Sequence, residues 1–345
     1  MNALRKFGIG IVGVGNAAEP HVLALRDLAD EVEVRGVVGR DPQRLGTFTA
    51  RHNLPATESL DMLLADPAVD AVLIVTPPNA RLPIVAAAAA AGKHIFMEKP
   101  VERTTEVARE IVSLCEAAGV RLGIVFQHRF RESSMKAREL LESGALGAIA
   151  AVYLVLPWWR PQSYYDQPGR GTFARDGGGV LISQAIHPLD LMLSLAGPVA
   201  EVQAMVGTTI LHRMETEDFA TAGLHFVNGA LGSLMATTAS FPGDAEYMVF
   251  DCEKATARLA GGKLDVRWHD GRMESFGSEV STGGGADPMA FPHDWHLAQW
   301  RDFLAAISRG REPQSNGRTA LRVHSLIDAL LASSANGVVT KVEQN

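Results

Sequence analysis

Gly13-Val14-Gly15-Asn16-Ala17-Ala18 stands where an apolar, strand-like run gives way to helical spacing. These residue types in this order suit a pyrophosphate. The first glycine permits a tight turn, the second lets backbone approach the phosphates, and alanine is tolerated at the third where the helix packs on its strand. N–H groups of the helix N-terminus then face the anion. Gly13, Val14, Gly15, Asn16 and Ala17 are therefore expected dinucleotide contacts. The second strand-like run ends Val38-Gly39-Arg40-Asp41. Proteins that hold NAD usually place a carboxylate there for the ribose 2′-hydroxyl, and Gly39 in that position supplies none. Arg40, with Arg44 nearby, can make charge-assisted bonds to a 2′-phosphate. Asp41-Pro42 reads better as the cap and first turn of a helix than as a ribose ligand. NADP(H) is the preferred expectation and NAD(H) the alternative.

Other patterns carry less. Ser133-Ser134-Met135-Lys136 matches the Ser-x-x-Lys of acyl-transfer enzymes, but the companion Ser-Asp-Asn and Lys-Thr-Gly segments are absent. His293 and His296 have the spacing of a metal pair on a helix. No third ligand stands at useful spacing, so capping and packing are expected and no metal is assigned. No Gly-Lys-Ser/Thr phosphate loop occurs. Cys115 and Cys252, the only cysteines, are too few for a disulfide framework and too far apart for a thiolate zinc site.

The elements that must position these residues change character along the chain. Apolar runs at Phe7–Gly13, Val32–Gly39, Ala71–Val75, His94–Met97 and Leu122–Phe126 alternate with helical patterns at Pro20–Leu28, Pro42–His52, Pro83–Ala91 and Thr104–Ala118. Uniformly apolar strands alternating with helices predict a doubly wound parallel sheet. A helix at Glu132–Ser143 and a run at Ile149–Leu156 follow, then a Gly/aromatic loop and a short helix at His187–Ala196. Alternating segments at Val199–Leu211, Phe219–Val227, Ala230–Ser240, Tyr247–Cys252, Thr256–Leu259 and Leu264–Trp268 come next. The turns Asn228-Gly229, Gly261-Gly262 and Asp270-Gly271 predict an antiparallel meander. Helices near His293–Ile307 and Thr319–Ser334 close the chain. The expected architecture is α/β: a Rossmann domain over 1–125 and an α+β domain with a large, mostly antiparallel open sheet over 126–345.

With 345 residues, more than one core is expected. A net charge of −7 without a Lys/Arg run argues against nucleic acid as a partner. Met1–Lys6 leads directly into the first apolar run without a leader-like block, and no uninterrupted apolar stretch reaches a membrane span. The cytoplasm is the expected compartment.

Thr76-Pro77-Pro78-Asn79 closes the third apolar run, and Gly92-Lys93-His94-Ile95-Phe96-Met97 leads into Glu98-Lys99-Pro100. Farther on, Arg170-Gly171-Thr172 and Gly177-Gly178-Gly179 precede Gln184-Ala185-Ile186-His187-Pro188-Leu189-Asp190. Together with the glycine turn, this order resembles the glucose–fructose oxidoreductase / inositol dehydrogenase (Gfo/Idh/MocA) family over nearly the whole chain. The resemblance implies a nicotinamide-dependent oxidoreductase acting on sugars, cyclic polyols or their oxidised forms. It also implies assembly as a homodimer or homotetramer through the outer face of the C-terminal sheet. Thr76, Pro77, Asn79, Glu98, Lys99 and Gln127 join the expected cofactor contacts. Lys99 is implied to touch both nicotinamide ribose and substrate, and His187 to transfer the proton.

Elementary chemistry agrees. Oxidising a secondary alcohol needs a hydride acceptor and a base within hydrogen-bond reach of the hydroxyl. Histidine serves near neutral pH, and a lysine ammonium polarises the developing oxyanion. Pro100 disfavours helix at Lys99 and so leaves it in an extended or loop segment at a strand's carboxyl end, where ligands of open α/β sheets bind. The expected substrate contacts are Lys99, Arg129, Trp159, Tyr164, Arg170, Ser183, Gln184, His187 and Asp190, the last of which, one helical turn after His187, has orientation of the imidazole as its alternative role. Aromatic faces suit sugar rings and the arginines suit a carboxylate. Trp158 and Trp159 cannot both face a pocket if they lie on a strand. Two positions depart from the family pattern: Ser183 replaces an acidic residue or Asn four places before His187, and Arg81 stands where many relatives carry His. An NAD-dependent glycoside hydrolase and a non-catalytic dinucleotide sensor are the competing classes.

Overall fold

The computed structural model describes residues 5–279 and 292–344, so most of the Met1–Lys6 lead-in lies outside it. The chain forms two compact units, Met1–Val125 with Pro292–Ala320, and Phe126–Phe291 with Leu321–Asn345.

The first unit runs β1 (Phe7–Val12), α1 (Ala18–Asp27), β2 (Val32–Val38), α2 (Pro42–His52), α3 (Leu60–Ala65), β3 (Ala71–Ile74), α4 (Arg81–Ala90), β4 (His94–Met97), α5 (Thr105–Ala117) and β5 (Leu122–Ile124). Its sheet is parallel throughout, in the order β2-β1-β3-β4-β5. All four residues of β3 are buried, as are the last five of β1, which is why these segments read as continuous apolar runs. Asp41, Ser59 and Thr104 cap α2, α3 and α5 by accepting backbone N–H bonds.

The second unit begins with α6 (Glu132–Glu142), β6 (Ile149–Pro157), α7 (Gln162–Tyr165), α8 (Val180–Ser183) and α9 (Ile186–Ala196). The sheet continues with β7 (Val199–Gly207), β8 (Phe219–Phe226), β9 (Leu231–Thr237), β10 (Tyr247–Cys252), β11 (Ala255–Ala260), β12 (Lys263–Trp268) and β13 (Met273–Gly277). The three predicted turns each close a hairpin. The simple meander is corrected, however: β6 is inserted between β9 and β10, parallel to β9 and antiparallel to β10. Turn chemistry marks hairpins but not a strand that arrives from far upstream in sequence. Burial alternates along β8, so one face of the sheet is covered and the other open.

The chain then enters α10 (Asp294–Arg309), α11 (Gly317–Asn336) and a final short β14 (Thr340–Lys341) that pairs with β7. The expectation that 126–345 form one domain is corrected here, because 292–320 belong to the first unit. Trp300 of α10 meets Phe96 of β4 edge-on with ring centroids 4.5 Å apart, and Phe303 stacks on it at 5.0 Å. Trp300, Phe303 and Leu304 share one core with Ile9, Ile11 and Leu73. No helix among the described residues is long and apolar enough to cross a membrane.

Candidate active site

In the first unit, Gly13 follows β1 with φ +108°, a conformation that favours glycine. A Cβ there would come within 3.1–3.2 Å of Val75 and Thr76 backbone at the end of β3. Above Gly15 a Cβ would meet nothing within 4 Å. The space over this turn is open and no side chain caps α1, whose first N–H groups, those of Ala18 and Glu19, donate to the carbonyls of Gly15 (2.9 Å) and Asn16 (3.2 Å) in the turn itself. A cavity there is lined by Val14, Gly15, Asn16, Gln43, Arg44 and Arg51 among others. The expected dinucleotide segment therefore fits a phosphate group. Arg40 is exposed beyond β2 and is not part of this lining; Arg44 is. Asp41 accepts from the N–H groups of Gln43 (2.9 Å) and Arg44 (3.1 Å), so its carboxylate serves as the α2 cap.

Adjacent strands β1, β3 and β4 bring the glycine turn, Thr76-Pro77 and Glu98-Lys99 to the same carboxyl edge of the sheet. Thr76 Oγ1 is buried and finds no hydrogen-bond partner, an atom a ligand can satisfy. Pro77 and Asn79 are exposed. Lys99 is half-buried, and the segment that carries it is held twice. Arg81, buried, donates to the carbonyls of Thr76 (3.0 Å), Glu98 and Pro100. Burial lowers its pKa to about 10, so it stays charged. Glu98 accepts from the Lys99 N–H (3.1 Å) and meets His21 Nε2 at 3.2 Å. Its carboxylate is engaged by protein groups, which makes it a support for Lys99 rather than an open cofactor ligand. His296 completes a group with His21 and Glu98 whose ligand atoms lie within 4.8 Å of one another. Its sequence neighbour His293 pairs with Asp27 at 2.8 Å instead.

In the second unit, His187 is buried near the start of α9. His128 stacks on it, with centroids 5.0 Å apart and planes at 25°, and Phe126 meets it edge-on at 6.0 Å. Arg131 lies 2.6 Å from His128 Nε2, and since a guanidinium only donates, that nitrogen accepts. Arg131 also pairs with Glu246 at 2.9 Å. Gln127 is buried with its Oε1 unpartnered. Tyr164 links to Gln184 at 3.5 Å, and the Arg170 guanidinium lies over the Tyr164 ring at 4.9 Å. Trp159 packs against His212 and Phe241, whereas Trp158 is buried and donates to Glu246 at 3.3 Å. Ser183 ends α8 and is half-buried.

Two expected substrate contacts meet each other instead. Arg129 makes a bidentate pair with Asp190, one bond at 2.6 Å, and Asp190 is wholly buried. Burial pushes the Asp190 carboxyl up, with Arg129 pulling against it. A carboxylate with no exposed surface cannot touch a substrate, so Asp190 as a direct contact is corrected to a support for α9. Glu217 was not singled out in the sequence. Its carboxylate accepts from Gly179 N–H (2.9 Å) and Leu181 N–H (3.0 Å), which sets the start of α8 ahead of Ser183. A Cβ on Gly179 would lie 1.8 Å from the Glu217 carbonyl oxygen, so that glycine is required by close approach. The adjacent acids Glu217-Asp218 before an apolar strand were the available signal.

A family model described as an oxidoreductase family with an NAD-binding Rossmann fold matches residues 7–126, and the GFO/IDH/MocA C-terminal domain model matches 134–258. An uncharacterized oxidoreductase of Schizosaccharomyces pombe is 30% identical over 83% of this chain and 85% of its own. D-apiose dehydrogenase of Paraburkholderia graminis is 25% identical over 97% of this chain and 89% of its own. The crystal structure of the WlbA dehydrogenase from Bordetella pertussis, in complex with NADH and UDP-GlcNAcA, superposes with a TM-score of 0.83 at 29% identity, covering 99% of this chain and 100% of that one.

Proposed function

Since this chain belongs to the Gfo/Idh/MocA oxidoreductase family, we propose that it moves a hydride between a nicotinamide dinucleotide and a secondary alcohol or ketone of a sugar, cyclic polyol or sugar acid. One observation carries the reading: the phosphate-type turn, Thr76 and Lys99 share the carboxyl edge of one parallel sheet, at and beside the β1/β3 switch point. A bound nicotinamide dinucleotide supplies the hydride acceptor or donor. Gly13–Ala17 and Thr76 hold it, with Gln127 offering an unsatisfied amide oxygen.

Lys99 polarises the reacting oxygen and His187 takes or returns its proton. His128 gives His187 a ring face to rest on, and Arg131 fixes that ring's acceptor nitrogen. Ser183 carries no charge, so the proton leaves through Lys99, water or a substrate hydroxyl. Trp159, Tyr164, Arg170 and Gln184 form the substrate wall, and Arg170 favours a carboxylate-bearing sugar. Dehydrogenase relatives leave the hydrolase and sensor readings without support. The exposed residues Tyr153, Met205 and Leu231 of the open sheet face suit a homodimer or homotetramer contact in the cytoplasm.

The NADP(H) preference is supported by the acid-free end of β2, by Asp41 serving as a cap and by Arg44 in the cavity lining. WlbA bound to NADH represents the opposite outcome. Arg40→Ala and Arg44→Ala should each weaken NADP(H) more than NAD(H), and an unchanged ratio in both refutes the preference. Turnover, read as 340 nm absorbance over a panel of sugars, inositols and sugar acids, should fall about 100- to 10,000-fold in Lys99→Ala and His187→Ala. Near-normal rates in both would overturn the mechanism.

A further inference from the structure

We propose that Trp300, on the helix α10, is a positioning residue for Lys99, acting through His21 and Glu98. This rests on the reading of Lys99 given above. Trp300 Nε1 lies 3.1 Å from His21 Nδ1, His21 Nε2 lies 3.2 Å from Glu98 Oε1, and Glu98 Oε2 accepts the Lys99 N–H at 3.1 Å. An indole N–H only donates. His21 Nδ1 must therefore carry a lone pair, and the proton of the neutral ring is placed on Nε2, facing Glu98. One donor on α10 thus sets a tautomer, the tautomer orients a carboxylate, and the carboxylate holds the backbone of Lys99.

The His21 tautomer also fixes the nature of the His21–Glu98–His296 group. Its three ligand atoms are close enough for a metal ion. With Nδ1 accepting from Trp300, His21 Nε2 has no lone pair to give. The group is a hydrogen-bonded assembly. Glu98 remains a carboxylate: burial pushes its pKa up, but the His21 hydrogen bond and the nearby Lys99 ammonium bring it below the ordinary range. His296, buried, has its pKa lowered to about 3 and stays neutral beside it. The ring of Trp300 has a separate role, since it meets Phe96 and Phe303 edge-to-face whether or not its N–H is present.

Trp300→Phe keeps most of the ring and deletes the donor. In the full-length protein, ¹⁵N imidazole spectra should show His21 protonated at Nε2 in the wild type and a population protonated at Nδ1 in the variant. Amide exchange at Lys99 should rise about 3- to 10-fold, the shift that one hydrogen bond supports. Trp300→His, which returns a ring donor, should restore much of the protection. In a His21→Gln background, Trp300→Phe should change Lys99 exchange less than about 2-fold, because one interaction is removed only once. An unaltered His21 tautomer in Trp300→Phe, or an undiminished effect in the His21→Gln background, would overturn the proposal. The same measurements on His21→Gln alone decide the matter if Trp300→Phe fails to fold: Lys99 exchange equal to wild type in a protein with Trp300 intact overturns it. None of these readings needs turnover, so a failure of the catalytic role of Lys99 shows separately, as normal rates in Lys99→Ala.

Discussion

Replacing Arg129 by Met should destabilise the second unit severely, because it leaves Asp190 without its bidentate partner at a position with no solvent exposure. Breaking a buried ion pair from one side costs about 3–5 kcal/mol. For a unit of about 190 residues, each kcal/mol moves the melting temperature by about 2–4 °C, so a fall of roughly 6–20 °C is expected. The carboxyl can escape the penalty only by taking a proton. Its folded pKa, already pushed up by burial, rises further once Arg129 is gone. A carboxyl with a raised folded pKa binds protons more readily in the native than in the unfolded chain, so its destabilising effect grows as pH rises above the unfolded value. The loss in Arg129→Met should therefore be larger at pH 8 than at pH 5. Adding Asp190→Leu to Arg129→Met should recover much of it, since apolar groups of similar volume need no partner. Thermal melts by near-UV circular dichroism at the two pH values test all of this. A melting temperature within about 2 °C of wild type for Arg129→Met, or a double variant less stable than the single one, would refute the reasoning.

Asp41→Ala should cost about 1 kcal/mol by urea denaturation, the value of a helix cap, and leave the NADP(H)/NAD(H) preference unchanged. Weaker NAD(H) binding at unchanged stability would show instead that Asp41 holds the ribose. Gly15→Ala should fold normally and bind dinucleotide more weakly by titration, because a Cβ there meets only open space. Gly179→Ala should do the reverse, losing about 1–3 kcal/mol or more to the clash with Glu217 while leaving dinucleotide affinity nearly intact. His296 has a folded pKa depressed to about 3, so the stability it contributes is complete above its unfolded pKa near 6.5 and is lost as pH falls through that window. The unfolding free energy of wild type, from urea denaturation between pH 7 and 4, should fall with a slope approaching about 1.4 kcal/mol per pH unit, and His296→Gln should flatten it.

Most strands and helices were legible because their periodicity is local. The apolar runs of β1, β3 and β4 and the turns at Asn228-Gly229, Gly261-Gly262 and Asp270-Gly271 announce themselves within a few residues. The short helix α3 and the edge strand β13, none of whose residues is buried, carry too little pattern to stand out. What the sequence hid is long-range. Insertion of β6 between β9 and β10 leaves no mark on β6 itself. His293 and His296 share the spacing of a metal pair, for which capping and packing are expected, and folding sends His296 to His21 and His293 to Asp27. Arg129 and Asp190 each read as a substrate ligand because charge in a motif suggests contact. Their mutual pairing appears only when a 61-residue separation is closed. The departure at Arg81 signalled that something differed near the Thr-Pro-Pro turn. Its three carbonyl partners show what: a cation ties together the loops that end β3 and β4.

The return of residues 292–320 to the first unit has a consequence for the order in which the protein is made. Residues up to Val125 leave the ribosome with all five parallel strands but without Trp300, Phe303 and Leu304 against Phe96, Ile9 and Ile11. At ordinary synthesis rates of about 5–20 residues per second, that aromatic surface waits roughly 9–36 seconds for its cover. During this interval the nascent chain presents a sticky face to chaperones. A ribosome stalled before codon 292 leaves a fragment that holds every strand of the sheet and lacks the helix that seals it.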